Sequence, residues 1–408
     1  MGTVHHARRR FLRDAGAAMA ALGGLPLNGA AATFSQPFEN GTRDLVAYPQ
    51  KRPLLRITTR PPHLETPFSV FNGGVITPND AFFVRYHLAN IPLSVDLRTY
   101  RLRVRGSVAT ELSLSLNELK RLGPASEVVA VNQCAGNSRG YSTPRVFGAQ
   151  LGNGSMGNAR WVGLPLRTVL EKAGVSATAK QVTFNGLDTP VLPTTPDFIK
   201  ALDVDDALNP DVLLAWSMNG EDIPMLNGYP LKLVVPGYFG TYWVKHLSDI
   251  EVIDAPFSGH DAFFMTTAYR IPDNECNCVV PGAAPAATKP ISRLKVRSFI
   301  TSLSNNAVVK LKSRLLLKGI AFDGGSGIKT VELSDDGGRR WREATLGQNH
   351  GRYSFREWTM PWIPSDPGPM ELWVRATTMS GETQPSQAGW NPSGYARNGI
   401  ESLRLVVV

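Results

Sequence analysis

The chain contains 408 residues, of which 42% are hydrophobic and 30 are proline. This length and composition predict two or more folded, loop-rich domains and exclude an intrinsically disordered chain. The net charge is +9, but no long run of Lys and Arg follows residue 32 and no nucleic-acid-binding motif is present. We therefore expect an anionic substrate or cofactor, or an ordinary basic surface, and no nucleic-acid partner.

The first 32 residues have the composition of an export signal. Arg8, Arg9 and Arg10 precede a mildly apolar segment at residues 15–25, and the small residues 30–32 offer a cleavage site. This pattern indicates a twin-arginine signal and a periplasmic product. The apolar segment is too short to span a bilayer, and no other segment approaches ~20 consecutive apolar residues, so we expect no membrane span.

Residues 33–280 predict a mixture of strands and helices. Apolar and charged residues alternate at residues 100–105, as in a half-buried strand. Ser115 and Glu118 form a capping box that opens a short helix, and a second helix at residues 166–173 ends at Gly174. Further strands are predicted at residues 127–131, 182–184, 212–218, 231–235 and 250–253.

Residues 281–290 are rich in Pro, Ala and Gly and predict a linker. Beyond it the pattern is almost entirely β. A hairpin signal, Asp335-Asp336-Gly337-Gly338, joins residues 331–333 to residues 341–342. The other apolar runs are at residues 308–320, 328–333, 353–358 and 370–376. Short strands at this spacing indicate an immunoglobulin-like sandwich.

Cys134 lies in a loop rich in Gly and Asn that directly follows the predicted strand at residues 127–131. A thiolate at this position can bond a soft metal, and small neighbours let a bulky cofactor approach the backbone. Asn137, Ser138 and Arg139 supply hydrogen-bond donors for anionic groups. The alternative is a buried, unreactive cysteine, which is how most buried cysteines behave.

The other two cysteines, Cys276 and Cys278, are separated by one residue, a spacing at which a disulfide rarely closes well. We expect them to be loop residues without a disulfide. The chain has no Cys-x-x-Cys-His motif and no Cys/His set with zinc spacing, so we expect no haem and no zinc site in it. His246 and His260 lack metal-spaced partners and are predicted to be structural or exposed.

Two further motifs carry positive charge. Arg85 and His87 are two residues apart in Phe82-Phe83-Val84-Arg85-Tyr86-His87, so on an extended segment both side chains face the same side. An Arg fork suits an oxyanion. Lys232 and Lys245 flank a short apolar run and could clamp a phosphate from neighbouring loops. In isolation, each of these cations would more often be a solvated surface group.

Together with Cys134-Ala135-Gly136-Asn137-Ser138-Arg139, these motifs resemble the sulfite oxidase family, and the layout is most similar to its bacterial periplasmic sulfite dehydrogenases. The resemblance covers nearly all of the chain after residue 32. It implies an α+β fold, with a sulfite-oxidase-type molybdopterin domain at residues 33–280. A linker at residues 281–290 and an immunoglobulin-like dimerisation domain at residues 291–408 follow. It also implies a molybdenum-molybdopterin cofactor, bonded through Cys134.

The same resemblance implies roles for individual residues. Arg85, Tyr269 and Cys134 are the expected catalytic residues, with Arg85 on the substrate oxyanion, Tyr269 as a donor and Cys134 on molybdenum. The expected cofactor-binding residues are Phe83, Val84, Tyr86, His87, Arg139, Asp188, Asn227, Lys232, Trp243, Val244 and Lys245. Ser393 stands where animal enzymes carry an arginine, which leaves the substrate charge to Arg85 and others, Arg397 being one candidate.

The implied activity is the oxidation of sulfite to sulfate, with electrons passing one at a time to a separate cytochrome c. Two alternatives stay open. One is a reductase of the same fold that acts on methionine sulfoxide or another oxo substrate such as nitrate, and the other is a cofactor-free binding module. The cytochrome could be a transient acceptor or a tight subunit, and the C-terminal domain is consistent with a homodimer.

Overall fold

The computed structural model describes residues 33–35 and 41–408. The predicted export signal, residues 1–32, lies outside the described residues. Within the described part, no helix is long and apolar enough to cross a membrane. Strands predominate, and the helical share is smaller than the α+β expectation implied, because each helix is only a short connection between strands. The α-helices are α1 Leu116–Arg121, α2 Leu166–Ala173, α3 Val204–Ala207 and α4 Phe263–Thr266, and 3-10 turns lie at Phe68–Gly73, Arg139–Tyr141, Met225–Asn227, Gly240–Tyr242 and His260–Ala262.

The N-terminal part contains three larger sheets and a two-stranded ribbon. Its strands are β1 Thr33–Ser35, β2 Thr42–Tyr48, β3 Lys51–Thr58, β4 His63–Glu65, β5 Val84–Arg85, β6 Leu102–Gly106, β7 Leu112–Leu114, β8 Ser126–Gln133, β9 Met156–Pro165, β10 Gln181–Asn185, β11 Lys200–Asp203, β12 Leu213–Met218, β13 Glu221–Asp222, β14 Lys232–Val234, β15 Asp249–Ile253, β16 Arg270–Pro272 and β17 Thr288–Pro290. The sheet orders are β1-β2-β3-β4-β5, β11-β10-β15-β6-β7 and β13-β12-β9-β8, with β14 paired to β12. The ribbon β16-β17 includes the end of the predicted linker.

The C-terminal part contains two sheets that share one core. Its strands are β18 Arg297–Ile300, β19 Ala307–Val309, β20 Leu315–Phe322, β21 Ile328–Ser334, β22 Arg342–Glu343, β23 Thr345–Leu346, β24 Arg356–Trp362, β25 Gly368–Thr378 and β26 Glu401–Val407. Their orders are β18-β20-β24-β23 and β19-β26-β25-β21-β22. Trp358 and Trp362 of the first sheet are buried with Val331, Leu372 and Leu405 of the second. Buried and half-buried residues alternate along β25 from Leu372 to Thr378, so one face of that strand lines this core.

Several local predictions are confirmed. The capping box at Ser115 and Glu118 is formed, and α2 ends at Gly174, whose φ of 73° is the left-handed conformation that glycine adopts readily. The predicted hairpin also forms, since Leu333 pairs with Arg342 across Asp335–Gly338. The predicted run at residues 308–320 is instead two strands, β19 and β20, in different sheets.

The two parts pack against each other through a mixed apolar core. Val131 and Ala135 lie in it beside Phe299, Phe322 and Phe355 of the C-terminal part. Hydrogen bonds cross the same boundary. The Val131 amide donates to the Tyr353 carbonyl at 2.9 Å, and the Ala396 amide donates to the Ala135 carbonyl at 3.0 Å. The loop that carries Cys134 is therefore covered by the C-terminal part.

The expectation for Cys276 and Cys278 was wrong, because the two residues form a disulfide. Asn277, between them, has a φ of 52°, a left-handed conformation that turns the chain and brings both side chains to one side. Their Cα atoms are 5.1 Å apart, inside the usual range for a disulfide. A ring this small restricts the unfolded chain little, so the chain-entropy contribution is only about 1.6 kcal/mol.

Gly319, in the middle of β20, offers a test of the C-terminal packing. A Cβ at this position would lie 2.0 Å from the Phe299 carbonyl oxygen and 2.2 Å from the Trp358 ring. We expect Gly319→Ala to lower the free energy of unfolding by about 2 kcal/mol, as overpacking of a core does, measured by urea denaturation. Gly73→Ala is the control, because a Cβ there would have no other atom within 4 Å. Equal midpoints for the two variants would contradict the packing described.

Candidate active site

One pocket gathers most of the residues that the sequence singled out. Its walls come from segments that are far apart in the chain, and the C-terminal part covers the Cys134 loop on one side. The lining residues are Phe82, Phe83, Arg85, His87, Asn132, Cys134, Ala135, Phe198, Asn227, Lys232, Gly240, Thr241, Trp243, Lys245 and Tyr269. The three expected catalytic residues and six of the expected cofactor-binding residues are therefore together in one place.

The segment around β5 explains which of its side chains reach the pocket. Phe83, Arg85 and His87 line it, as the two-residue period of an extended chain predicts. Val84 and Tyr86 face the other way, into a small apolar core. Any contact of Val84 or Tyr86 with a group in the pocket would therefore have to involve the backbone.

The second side of the pocket comes from a bent segment at residues 243–246. Trp243 and Lys245 line it, whereas Val244 is buried in the main core and His246 is fully buried behind it. His246 is structural, as predicted. One of its ring nitrogens lies 2.6 Å from the Tyr86 hydroxyl and the other 2.5 Å from the Tyr229 carbonyl. Lys245 donates to the Arg85 carbonyl and lies 4.2 Å from the centre of the Tyr86 ring, which joins the two sides.

Cys134 stands at the start of a tight loop after β8. Its amide donates to the Ser155 carbonyl at 2.9 Å, and its carbonyl accepts from the Asn137 amide at 3.0 Å. The Asn137 side chain in turn accepts from the Ser155 amide at 3.0 Å. These bonds fix the backbone on both sides of the thiol, which is the free cysteine of the described chain.

Tyr269 and His87 form a polar pair in the wall of the pocket. The Tyr269 hydroxyl is hydrogen-bonded to His87 Nε2, and the imidazole stacks on Phe198 with ring centres 3.8 Å apart. Burial, reinforced by the charges of Arg85 and Lys245, lowers the pKa of His87 well below its usual value. Burial raises the pKa of Tyr269. The imidazole is therefore neutral and the phenol keeps its proton, so the tyrosine can donate to His87 or to a bound group.

The pocket is rich in buried positive charge. Burial lowers the pKa of Lys245 to about 8, although Asp188 opposes this, and it lowers the pKa of Lys232 well below the usual lysine value. Lys232 lies 4.9 Å from the Trp161 ring centre and 5.8 Å from that of Trp243. No described carboxylate forms an ion pair with Lys232 or Lys245. Aromatic faces compensate such a charge only in part, so a bound anion would stabilise this arrangement.

Unpaired polar atoms in the pocket indicate that the ligand also carries hydrogen-bonding groups, including a donor for the Asn132 oxygen. The Asn132 side-chain oxygen and the Thr241 hydroxyl are buried without a hydrogen-bond partner among the described residues, and both residues line the pocket. Within residues 41–408, no three His, Cys, Asp or Glu side chains gather as they would around a metal ion. A metal bonded to Cys134 would therefore take most of its ligands from a cofactor. The residues present fit a polar, anionic cofactor that carries its own metal ligands.

Besides Val84, Tyr86 and Val244, two more of the expected cofactor-binding residues, Arg139 and Asp188, lie outside the lining. Arg139 donates through Nε to the Ser393 carbonyl at 2.8 Å and lies 5.0 Å from the centre of the Tyr395 ring, so it joins the two parts of the chain. Asp188 is buried beside Lys245, and burial raises its pKa to about 6. Arg397 was the candidate to replace the arginine that is missing at Ser393. It forms an ion pair with Glu401 at 2.8 Å and does not line this pocket.

The sequence did not single out several residues that shape this site. Asn132, Thr241 and Phe198 line the pocket, and Tyr395 stacks on Tyr269 with ring centres 5.2 Å apart. Lys200 is almost fully buried, with its ammonium 4.6 Å from the Tyr242 ring centre and 5.3 Å from that of Tyr269. The available signal for Lys200 was a lysine with apolar residues on both sides, at residues 198–199 and 201–202; the others have no local signature.

Comparison with known proteins assigns this fold and pocket to a class. The oxidoreductase molybdopterin binding domain matches residues 88–261, and the Mo-co oxidoreductase dimerisation domain matches residues 288–400. The chain is therefore a molybdenum oxidoreductase with a molybdopterin cofactor, followed by a dimerisation domain. It belongs to the sulfite oxidase family.

Individual relatives support the assignment over most of the chain. Mitochondrial sulfite oxidase from Rattus norvegicus is 32% identical over 392 residues, which are 92% of this chain and 68% of the relative. Sulfite oxidase from Arabidopsis thaliana is 31% identical, covering 79% of this chain and 83% of the relative. The crystal structure of the sulfane dehydrogenase SoxCD from Paracoccus pantotrophus matches with a TM-score of 0.72 and 26% identity, over 94% of this chain and 90% of that one.

The burial of Lys200 predicts a pH dependence of stability. Burial lowers its pKa to about 7 from 10.5. Between these values the unfolded chain binds a proton that the folded chain lacks, so the free energy of unfolding rises with pH, by up to about 5 kcal/mol. In Lys200→Met this contribution is absent. The free energy of unfolding of the wild type, measured by urea titration, should therefore rise relative to that of the variant from pH 7 to pH 10. Lys172→Met, at an exposed lysine on α2, is the control. If the free energies of unfolding of wild type and Lys200→Met changed equally with pH, the lowered pKa of Lys200 would be wrong.

Proposed function

We propose that this enzyme oxidises sulfite to sulfate and passes the electrons to a cytochrome c. The observation that carries the proposal is the state of Arg85. Its side chain is half-buried in the pocket with Cys134 and Tyr269, and no described residue accepts a hydrogen bond from its guanidinium. A guanidinium held in this way offers a planar fork of donors to an oxyanion, and sulfite is a small oxyanion.

Each pocket residue has a distinct role in the proposed reaction. In this proposal the Cys134 thiolate holds the molybdenum, and the cofactor supplies the two-electron chemistry. Arg85 binds the sulfite dianion, and the other buried cations favour a negative substrate and product. Tyr269 keeps its proton, is oriented by neutral His87 and donates to an oxygen in the pocket. Sulfite and water yield sulfate, two protons and two electrons, and the electrons leave for the cytochrome.

The pterin would be held by the opposite side of the pocket. Lys232 and Lys245 are suited to its phosphate, and Asn132 and Thr241 offer it unpaired polar atoms. The Asn227 side chain is already fixed in position on this side of the pocket. Its side-chain oxygen accepts from the Lys51 ammonium, and its amide nitrogen donates to the Phe83 carbonyl at 3.0 Å.

We propose the periplasm as the location and a twin-arginine signal at residues 1–32. The Cys276–Cys278 disulfide supports this, because disulfides persist mainly in oxidising compartments. We further propose domains at residues 33–280 and 291–408, the second of immunoglobulin-like type and linked by residues 281–290. The dimerisation domain favours a homodimer, with the cytochrome as a separate chain and no haem in this one.

Oxidation of sulfane sulfur is a second candidate activity. The similarity to a sulfane dehydrogenase over nearly the whole chain favours it. Both activities release electrons, so one assay distinguishes them from a reductase and from a cofactor-free binding module. The enzyme, exported in a molybdenum-replete host, is supplied with sulfite or a sulfane donor and with oxidised cytochrome c. If the enzyme binds molybdenum but does not reduce the cytochrome, a reductase acting on methionine sulfoxide or nitrate is favoured. If the protein is folded but binds no molybdenum, the cofactor-free binding module is favoured.

Replacement of the thiol tests the metal assignment. Changes to residues that merely support metal ligands cost about 10- to 100-fold, so we expect Cys134→Ser to lose sulfite turnover by more than about 100-fold. Bound molybdenum is measured by elemental analysis and turnover by cytochrome c reduction. The thermal unfolding midpoint of the same variant is the control for folding. Undiminished turnover in Cys134→Ser would refute the proposed ligand.

Replacement of Arg85 tests the substrate site. A charge-assisted hydrogen bond contributes about 1.5–3 kcal/mol, so Arg85→Gln should raise KM for sulfite by about 10- to 100-fold. Molybdenum content should remain at the wild-type level. Arg98→Gln is the matched control, since the Arg98 side chain is 90% exposed. If Arg85→Gln kept the wild-type KM, the proposed oxyanion contact would be wrong.

A further inference from the structure

A second hollow of about 260 Å³ lies at the junction of the two parts of the chain, next to the active-site pocket. Its walls include Tyr141, Gly389, Trp390 and Tyr395. Tyr395 is the link to the active site. Its ring stacks on Tyr269 with only 9° between the ring planes, and Tyr269 lines the active-site pocket. The two cavities are therefore separated by a pair of stacked phenols.

The Cys276–Cys278 disulfide packs directly against the wall of this second hollow. Gly389 has no room for a side chain, because a Cβ there would lie 2.8 Å from the Cys278 Cβ and 3.5 Å from its sulfur. The next residue is also attached, since the Val279 amide donates to the Trp390 carbonyl at 2.9 Å. The disulfide and residues 389–390 thus form one packed unit.

The disulfide is poorly suited to a role in global stability. Its ring encloses one intervening residue, and the chain-entropy effect of a disulfide grows with the size of the loop that it closes. Cys276 is exposed, so a thiol in solution can reach it. Exposed disulfides are in general the more easily reduced ones, whereas structural disulfides resist reduction. The small ring and the exposure of Cys276 therefore favour a disulfide that is exchanged with thiols and acts locally.

The loop around the disulfide is also held by bonds that do not involve sulfur. The Asn274 side-chain nitrogen donates to the Cys278 carbonyl at 2.8 Å, and the Cys278 amide donates to the Asn274 side-chain oxygen at 3.2 Å. The Asn277 side chain donates to the Pro272 carbonyl at 3.1 Å and to the Asn274 carbonyl at 3.0 Å. On reduction these bonds would hold the backbone of residues 274–278 together, so the disulfide could form again, whereas the Cys278 sulfur would be free to turn away from Gly389.

We propose that Cys276 and Cys278 form a reversible thiol-exchange site, and that its reduction by a dithiol releases the Gly389–Trp390 wall of the second hollow. A thiolate of the dithiol attacks the exposed Cys276 sulfur, and Cys278 leaves as a thiolate. The second thiol of the reductant then attacks the mixed disulfide and frees Cys276. Two electrons and two protons pass to the enzyme, and the reductant becomes a disulfide.

The test uses the intact metal-loaded enzyme with dithiothreitol as the dithiol, without denaturant. Titration with a chromogenic disulfide should detect two new thiols per chain, since one disulfide is opened. Hydrogen exchange of residues 386–397, followed by mass spectrometry, should then become about tenfold faster, as expected when local contacts are lost. The double variant Cys276→Ser/Cys278→Ser should exchange at the fast rate with or without dithiothreitol. Cys134→Ser should still release two thiols, which shows that they do not come from the pocket.

Two results would overturn the proposal. One is the absence of new thiols until the protein unfolds, and the other is the release of two thiols with unchanged exchange at residues 386–397. Neither readout requires a substrate, so the proposal does not depend on sulfite oxidation. Sulfite turnover is measured on the same samples, and its absence in both redox states would refute the proposed function while the thiol result stands.

Discussion

Two lysines withdrawn from water dominate the active site, and of the two only Lys245 has a described carboxylate, Asp188, near it. Lys232 is completely buried between two indole rings, and Lys245 is held beside Tyr86 and Arg85. Desolvating an ammonium is costly, and aromatic faces and carbonyl groups return only part of that cost. An anionic cofactor would offset the rest, and a ligand that binds only the folded state stabilises it by mass action. We infer that cofactor insertion and folding reinforce each other.

Two chain segments each place a basic side chain in the pocket and an adjacent apolar side chain in the core. In the segment around β5, Arg85 faces the pocket while Val84 and Tyr86 face apolar neighbours. In the second segment, Lys245 faces the pocket and Val244 faces the main core. A one-residue slip of the extended segment around β5 would turn Arg85 into the core and Val84 and Tyr86 into the pocket. The packing of the apolar faces therefore fixes the positions of the functional side chains.

Patterns within short segments were sufficient to predict much of the fold and part of the site. The alternation of Arg85 with His87 and the capping box at Ser115 depend only on neighbouring residues, and both are present. What the sequence could not predict depends on long-range packing. The contact of Tyr395 with Tyr269 joins residues more than a hundred positions apart, and the left-handed Asn277 that closes the disulfide has no pattern of its own.

The C-terminal part does more than supply a surface for dimerisation. The Ala396 amide donates to the Ala135 carbonyl beside Cys134, and Ser393 holds the Arg139 guanidinium over the Tyr395 ring. Burial raises the pKa of the Tyr269 phenol, and the charges of Arg85 and, to a smaller extent, Arg139 oppose this rise. The position of Arg139 thus depends on a loop from the other part of the chain. Tyr395, from the same loop, also stacks on Tyr269, so the packing of the two parts of the chain sets the surroundings of a phenol that lines the pocket.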